Sequence, residues 1–347
     1  MDQRHHPARD MDLGAASSGQ VWALYGSESV GLADASSAQV AAHLEQARQN
    51  GGTEWLWLHL DAVATGVAHR IEAVSWLPED AAETLLRPDK DMRLGVTDGI
   101  VHGTLPALQA ASDGEEPEVV PWHFALRPDT LITTRRRPTP GLFALRQSIG
   151  RAGTGPAPEF PAEVIDRALL GFANELRRMI ATLDLELDAV EDALLQPDLG
   201  SATRQLGGEL GRARRFATVL RRAIGPLDRV IHDDDLELPA WAAEILLDRA
   251  RPAVRSVMDD LLALQDRARS LQDELASRQA EETNRRLYLV SIMTTLMLPA
   301  TVVTGFFGMN TGGMFLSSLP HGTALAGTVC LLFMALTWLL LKRLRLL

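Results

Sequence analysis

Apolar and polar positions follow three rhythms along the 347-residue chain. From Gln20 to about Arg137, short apolar runs alternate with helix-spaced ones. Val21-Trp-Ala-Leu-Tyr25, Trp55-Leu-Trp-Leu-His-Leu60, Ile100-Val-His-Gly-Thr104, Trp122-His-Phe-Ala-Leu126 and Thr130-Leu-Ile-Thr-Thr134 are rich in β-branched and aromatic residues and read as strands. Ser37 to Asn50 and Val67 to Trp76 carry helical spacing, the first stopping at Gly51-Gly52. The pattern predicts an α/β domain with a mixed sheet over residues 20–160. Residues 1–19, polar with Gly and Ser and without periodicity, are expected to be disordered. Gly153-Thr-Gly-Pro-Ala-Pro158 reads as a linker.

The second rhythm is helical throughout. Over residues 161–238 an antiparallel helical pair is expected. Leu169, Phe172, Leu176, Met179, Ile180, Leu183, Leu187 and Val190 line one face of its first helix, which stops at Pro197. Its second helix, Ser201 to Ile224, is rich in Arg, and Ile231-His-Asp-Asp-Asp-Leu236 forms a loop after it. A third helix begins near Pro239-Ala-Trp241 and meets no firm stop until Gly308. Its part over 239–286 is a cytoplasmic stalk, where Leu247, Val254, Met258, Leu261, Leu264, Ala268, Leu271 and Leu275 keep a three-four spacing. At about 1.5 Å per residue, Trp241 to Phe307 makes a rod on the order of 100 Å long. Pro252 is expected to kink it near its start.

The third rhythm is almost unbroken apolarity. From Leu287 to Leu341 there is no Asp, Glu, Lys or Arg. A run of this length holds two bilayer crossings of roughly 20 apolar residues each. They are placed at 287–309 and 323–341, with an extracytoplasmic loop at 310–322 and a basic cytoplasmic tail at 342–347. The fold class expected is therefore an α+β membrane protein: an N-terminal cytoplasmic α/β domain, a long helical stalk and two C-terminal transmembrane helices.

Charge sets the orientation. Arg285 and Arg286 precede the first span, Lys342, Arg343 and Arg345 follow the second, and the loop between has no Lys or Arg. By the positive-inside rule both termini are cytoplasmic in a multi-pass protein of the bacterial inner membrane. Met1 to Asp12 is polar with both signs of charge, unlike a signal peptide, so the front part is expected to stay in the cytoplasm. The formal charge of −11 argues against a nucleic-acid partner and suits a neighbour of cations. A lone Cys330 forms no internal disulfide and reads as a packing thiol. No nucleophile–base arrangement, phosphate loop or paired-cysteine motif is apparent, so neither an enzyme nor a bound cofactor is expected.

Down one face of the first span, steps of three and four from Asn284 meet Leu287, Ser291, Thr294, Leu298, Thr301, Gly305 and Gly308. The other faces carry Leu289, Val290, Ile292, Met293, Leu296, Met297, Val302, Val303, Phe306 and Phe307. Such a stripe is either a helix-packing face or the wall of a pore built from several copies. In a pore, Leu287 and Leu298 are apolar constrictions that gate by dewetting; in a packed interface they are knobs. Pro299 removes a backbone donor and can bend the helix. Gly308-Met309-Asn310 closes the span: glycine lets the chain leave the helix, and carbonyl and amide oxygens can then ring a hydrated dication such as Mg²⁺. His232-Asp-Asp-Asp235 is either a loose cation cluster (His232, Asp233, Asp234, Asp235) or a solvated loop. His321, the titratable side chain of the outer loop, is a further metal or proton candidate, whereas His59, His102 and His123 read as packing residues.

A Gly-Met-Asn tripeptide ending the first of two terminal spans, after Pro299-x-Thr301-x-x-x-Gly305, a very long helix and an α/β domain, resembles the CorA metal-ion transporter family. The resemblance covers the whole domain order and is strongest from about Asn284 to the C-terminus. It implies a homopentamer with a cytoplasmic funnel and stalk helices around a central pore. It also implies Gly308, Met309 and Asn310 at the outer selectivity ring, with Asn284, Leu287, Ser291, Thr294, Leu298, Thr301 and Gly305 along the pore. The magnesium branch usually continues with an aromatic residue and an acid-bearing loop. Here Thr311-Gly-Gly-Met-Phe315 follows, with no carboxylate, as in the ZntB-like branch associated with zinc. The expectation is transport of a divalent cation, Zn²⁺ ahead of Mg²⁺, cobalt or nickel. The alternative from another class is a membrane-anchored sensor or scaffold that uses the hairpin only as a foot.

Overall fold

The computed structural model describes residues 19–27, 31–46, 54–109, 118–149, 157–196, 202–233, 235–308 and 321–343. The expected disordered N-terminus up to residue 18, the Gly51-Gly52 stop, most of the Gly153–Pro158 linker, Asp234, Met309, Asn310, the loop to Pro320 and the last tail residues lie outside them. The chain divides into two compact units, Met1–Leu271 and Gln272–Leu347.

The first unit is built on a seven-stranded sheet in the order β2-β1-β3-β7-β6-β5-β4. The strands are β1 (Gln20–Ser27), β2 (Gly31–Asp34), β3 (Trp55–Asp61), β4 (Arg93–Thr97), β5 (Ile100–Gln109), β6 (Glu118–Leu126) and β7 (Thr130–Arg135). The sheet is mixed: β3 and β7 run parallel, pairing Leu56 with Thr130 and His59 with Thr133, and every other pair is antiparallel. Central strands covered on both faces lose the in–out alternation of polarity, which is why Trp55 to Leu60 is buried without a break. Leu56, Leu58 and Leu60 point to one face, where they meet Val40, Ile71, Ala81 and Leu85. Those residues belong to α1 (Ser37–Gln46), α2 (Val67–Glu72) and α3 (Glu79–Leu86). Further helices, α4 (Pro140–Ser148), α5 (Pro161–Leu194) and α6 (Ala202–Ile231), also pack on the sheet.

Four elements are absent from the sequence reading: β2, β4, α3 and α4. The β4–β5 hairpin turns through Asp98-Gly99, both with left-handed φ, 51° and 76°. Two such residues form the tight turn whose twist matches paired strands.

Two helix boundaries also differ. The Arg-rich helix does not end at Ile224; α6 runs through Pro226 to Ile231. Leu227 and Ile231 are fully buried, so packing of the last turn outweighs the proline. The third helix does not start at Trp241. Ala240–Ala243 is a single turn, α7, and the long helix α8 spans Ala250–Gly308. Its start is set by a residue distant in sequence: the buried carboxylate of Asp166 on α5 accepts the backbone N–H groups of Arg249 (3.1 Å) and Ala250 (2.8 Å) and the Nε–H of Arg249 (3.0 Å). An oxygen acceptor at exposed amides of a helix N-terminus is a capping interaction. Pro252 therefore falls in the first turn of α8, where no helical acceptor awaits its missing N–H, and the expected kink has no cause there. Up to Leu271, the apolar seam of α8 (Val254, Val257, Leu261, Leu264, Ala268) is buried, as are Leu176, Ile180 and Leu187 of α5 and Leu210, Leu220 and Ile224 of α6. Arg267 on α8 reaches Asp184 and Glu191 on α5, at 2.6 Å each.

The second unit contains α8 from Gln272 onward and α9 (Gly322–Arg343). Both helices are long and apolar enough to cross a membrane, and neither is buried along its apolar stretch.

Candidate ion pathway

Every stripe residue from Asn284 to Gly308 lies in α8 and is exposed. Leu287 and Leu298, the two apolar interruptions, are 59% and 61% exposed. The partly shielded positions of the same segment are Ile292, Leu296, Pro299, Ala300 and Val303. Counting about 100° per residue, the two sets centre on opposite sides of the helix, roughly 170° apart. On α9 the partly shielded positions Ala326, Val329, Cys330, Met334, Thr337 and Leu341 also fall at three-four spacing. The hairpin thus partly shields one face of α8, and its hydroxyl-bearing face stays open, as do the apolar Leu289, Val290, Met293, Met297, Val302 and Phe306.

The hydroxyls on that face are not idle donors. Thr294 Oγ1 donates to the Val290 carbonyl at 2.8 Å and Thr301 Oγ1 to the Met297 carbonyl at 3.0 Å. Such back-bonding satisfies the proton inside the helix and leaves the oxygen lone pairs facing outward, as acceptors. Thr295 and Thr304 do the same off the stripe, with Ser291 and Ala300, so back-bonding alone does not mark a pathway. A Cβ at Gly305 or Gly308 would meet nothing within 4 Å, so contacts within one chain do not require glycine at either position. At the far end of α9, Lys342 Nζ sits 5.2 Å from the Trp338 ring. An aromatic ring under a lysine is the arrangement found at a membrane–water interface.

The other candidates separate. His232 is turned back onto α6, with Nδ1 2.9 Å from the Asp228 carbonyl and 3.2 Å from its Oδ1. Asp233 Oδ1 accepts the backbone N–H of Asp235 at 3.1 Å, an Asx turn. Among the described residues no three His, Cys, Asp or Glu side chains come together to hold a metal. His321 is exposed just before α9, its carbonyl accepting the N–H of Leu325 at 3.1 Å.

The three strand histidines are buried in the first unit. His59 Nδ1 lies 2.7 Å from Thr133 Oγ1 and its ring stacks on Trp22 at 4.0 Å. His123 Nδ1 lies 2.9 Å from Thr104 Oγ1, and His102 bridges Thr84 and Thr97 at 3.0 and 3.1 Å. Burial disfavours the imidazolium and, with a smaller push from Arg135, lowers His59 to about 3. Burial likewise lowers His123 to about 4, and it lowers His102. They are neutral packing residues, as their place in the strands led one to expect.

A sheet unit followed by a long helix and an apolar C-terminal hairpin, with one polar face left open, defines a class of membrane protein. The family described as CorA-like Mg2+ transporter protein matches residues 52–343, and the chain belongs to it. It is 28% identical over 291 residues to the zinc transport protein ZntB of Yersinia enterocolitica, covering 81% of this chain and 83% of that one. It is 27% identical over 301 residues to the divalent cation transporter CmaX of Pseudomonas aeruginosa, covering 84% and 87%. The fold is similar to that of full-length CmaX, with a TM-score of 0.71 at 24% identity over 94% of this chain and 98% of that one. It is similar also to the complete CorA magnesium transporter from Methanocaldococcus jannaschii, with a TM-score of 0.66 at 15% identity over 93% and 98%.

Proposed function

We propose that identical copies, five by the family resemblance, gather so that their α8 stripes surround a water-filled passage for divalent cations. The observation that carries this reading is the opposition of faces on α8: the partly shielded side is Ile292, Leu296, Pro299, Ala300 and Val303, and the side bearing Ser291, Thr294 and Thr301 is open. A hairpin used only as a foot has no reason to gather Ser291, Thr294 and Thr301 on its unshielded side. Asn284, Leu287, Ser291, Thr294, Leu298, Thr301 and Gly305 line the passage, with the leucines as constrictions and Gly308, Met309 and Asn310 at its outer mouth. Both termini are on the cytoplasmic side of the inner membrane, following the charged flanks.

The cation proposed is zinc. The acid-free sequence Thr311-Gly-Gly-Met-Phe315 supports it, as does likeness to proteins named for zinc transport. Magnesium is the second reading, because the family as a whole is described by that ion. Purified protein in liposomes loaded with a zinc-sensitive dye tests both: zinc influx should persist under excess external magnesium. Asn310→Ala should abolish selective uptake and leave the assembly size unchanged. Full, selective uptake by that variant would remove Asn310 from the mouth.

A further inference from the structure

In a chain of formal charge −11, α6 is an exception, with many arginines and only Glu209 and Asp228 as acids. Arg214, Arg221 and Arg222 from α6 and Arg269 from α8 converge on one cavity of about 320 Å³. Its remaining lining is Thr218, Gln265 and a single carboxylate, Asp266. No apolar side chain faces it. Among the described residues, none of Arg221, Arg222 and Arg269 takes part in an ion pair. A second cavity, of about 460 Å³, shares Arg222 and adds Arg229 and Lys90.

The first cavity is ordered by a hydrogen-bond chain across the two helices. Arg221 Nη1 donates to Gln265 Oε1 at 3.0 Å, Gln265 Nε2 donates to Thr218 Oγ1 at 3.2 Å, and Thr218 Oγ1 donates to the Arg214 carbonyl at 2.7 Å. The chain uses one of the five donors of Arg221 and leaves the others for a ligand. Like charges held this close repel one another, and a compact polyanion in their midst removes the repulsion. Guanidinium groups match phosphate oxygens through paired N–H donors. With no aromatic or apolar shelf in the cavity, a ring or acyl chain has nothing to rest on there.

We propose that this groove between α6 and α8 binds the di- or triphosphate chain of a small phosphorylated molecule. The site shares no residue with the proposed passage, so Asn310→Ala should bind the ligand as the native protein does.

The test is calorimetric titration of the full-length protein, in detergent and freed of metal with chelator, with inorganic pyrophosphate at fixed ionic strength. Sulfate serves as the comparison anion. Saturable binding of pyrophosphate well above sulfate is expected. The double variant R222Q/R269Q should weaken it about tenfold or more, the loss expected for charge-assisted bonds. R204Q, on α6 but outside the groove, should not change it. D266N removes the one carboxylate and should tighten binding; this opposite sign keeps the test decisive even if the double variant folds poorly. Absence of saturable heat, or equal heats for sulfate and pyrophosphate, overturns the site. So does exclusion of pyrophosphate by a groove already covered in the assembly, seen as R222Q/R269Q changing the oligomer size.

Discussion

Threonine serves opposite ends in the two units of this chain. In the sheet unit, Thr84, Thr104 and Thr133 are buried and meet imidazole nitrogens of His102, His123 and His59. In the hairpin unit, Thr294, Thr301 and Thr304 are exposed and bond to their own helix backbone. At these three positions the first unit pairs a hydroxyl with a ring from another element. At its three positions the second satisfies the hydroxyl locally and still presents a polar face to its surroundings. A face that is neither apolar enough for lipid nor covered by its own chain is finished by something else, and in the passage proposed above that is water between neighbouring copies.

The sheet unit should be the more sensitive to loss of a single partner. Asp166→Ala leaves the backbone amides of Arg249 and Ala250 without their acceptor at a buried helix start. Stranding such groups costs about 3 kcal/mol. Melting of the full chain, followed by fluorescence of the sheet tryptophans, should show a marked drop, with a smaller one for Asp166→Asn. An unchanged transition would mean that α8 starts where it does for another reason.

Acid should sharpen the contrast next. His59, at about 3, and His123, at about 4, lie below their ordinary value of 6.5 because burial penalises the charged ring. Above about pH 6.5 folded and unfolded chains are both neutral at these sites, and nothing is lost. As pH falls, the unfolded chain takes up protons that the folded one refuses, so stability declines by about 1.4 kcal/mol per pH unit for each histidine. The decline at His123 ends near pH 4 and that at His59 near pH 3. Melting temperatures from pH 7 to 4.5 should fall along this slope, and less steeply in His123→Gln. Parallel slopes for the two proteins would refute the assignment.

What the sequence reveals follows the same division. Trp55–Leu60 and Ile100–Thr104 announce themselves because a buried strand is rich in apolar, aromatic and β-branched residues, even with His59 and His102 among them. Arg93–Thr97 hides because it is an edge strand of only partly buried residues, although the Asp98-Gly99 turn beside it is legible. The start of α8 is illegible in its own neighbourhood, since Asp166 lies on another helix and only folding brings it there. His232 and Asp233 suggest a cation cluster as letters, but each is already engaged by local hydrogen bonds. The stripe of α8 is fully written in its three-four spacing. Which face the hairpin shields is not, because that depends on how the helices of the second unit are arranged.

The smallest effect on stability should be the most telling for function. Thr294→Val and Thr301→Val keep the shape of each side chain and remove only a hydroxyl bonded to its own helix. The expected change in stability is within about 0.5 kcal/mol, since the carbonyl that loses this bond keeps its helical partner. Zinc influx into liposomes should nevertheless fall, because outward oxygen acceptors are replaced by methyl groups along a proposed water path. Thr304→Val, off the stripe but equally back-bonded, should leave influx unchanged. If the stripe variants lower the melting temperature or disperse the assembly while Thr304→Val does not, the open face of α8 is a contact between copies. In that case the passage for cations must be sought elsewhere.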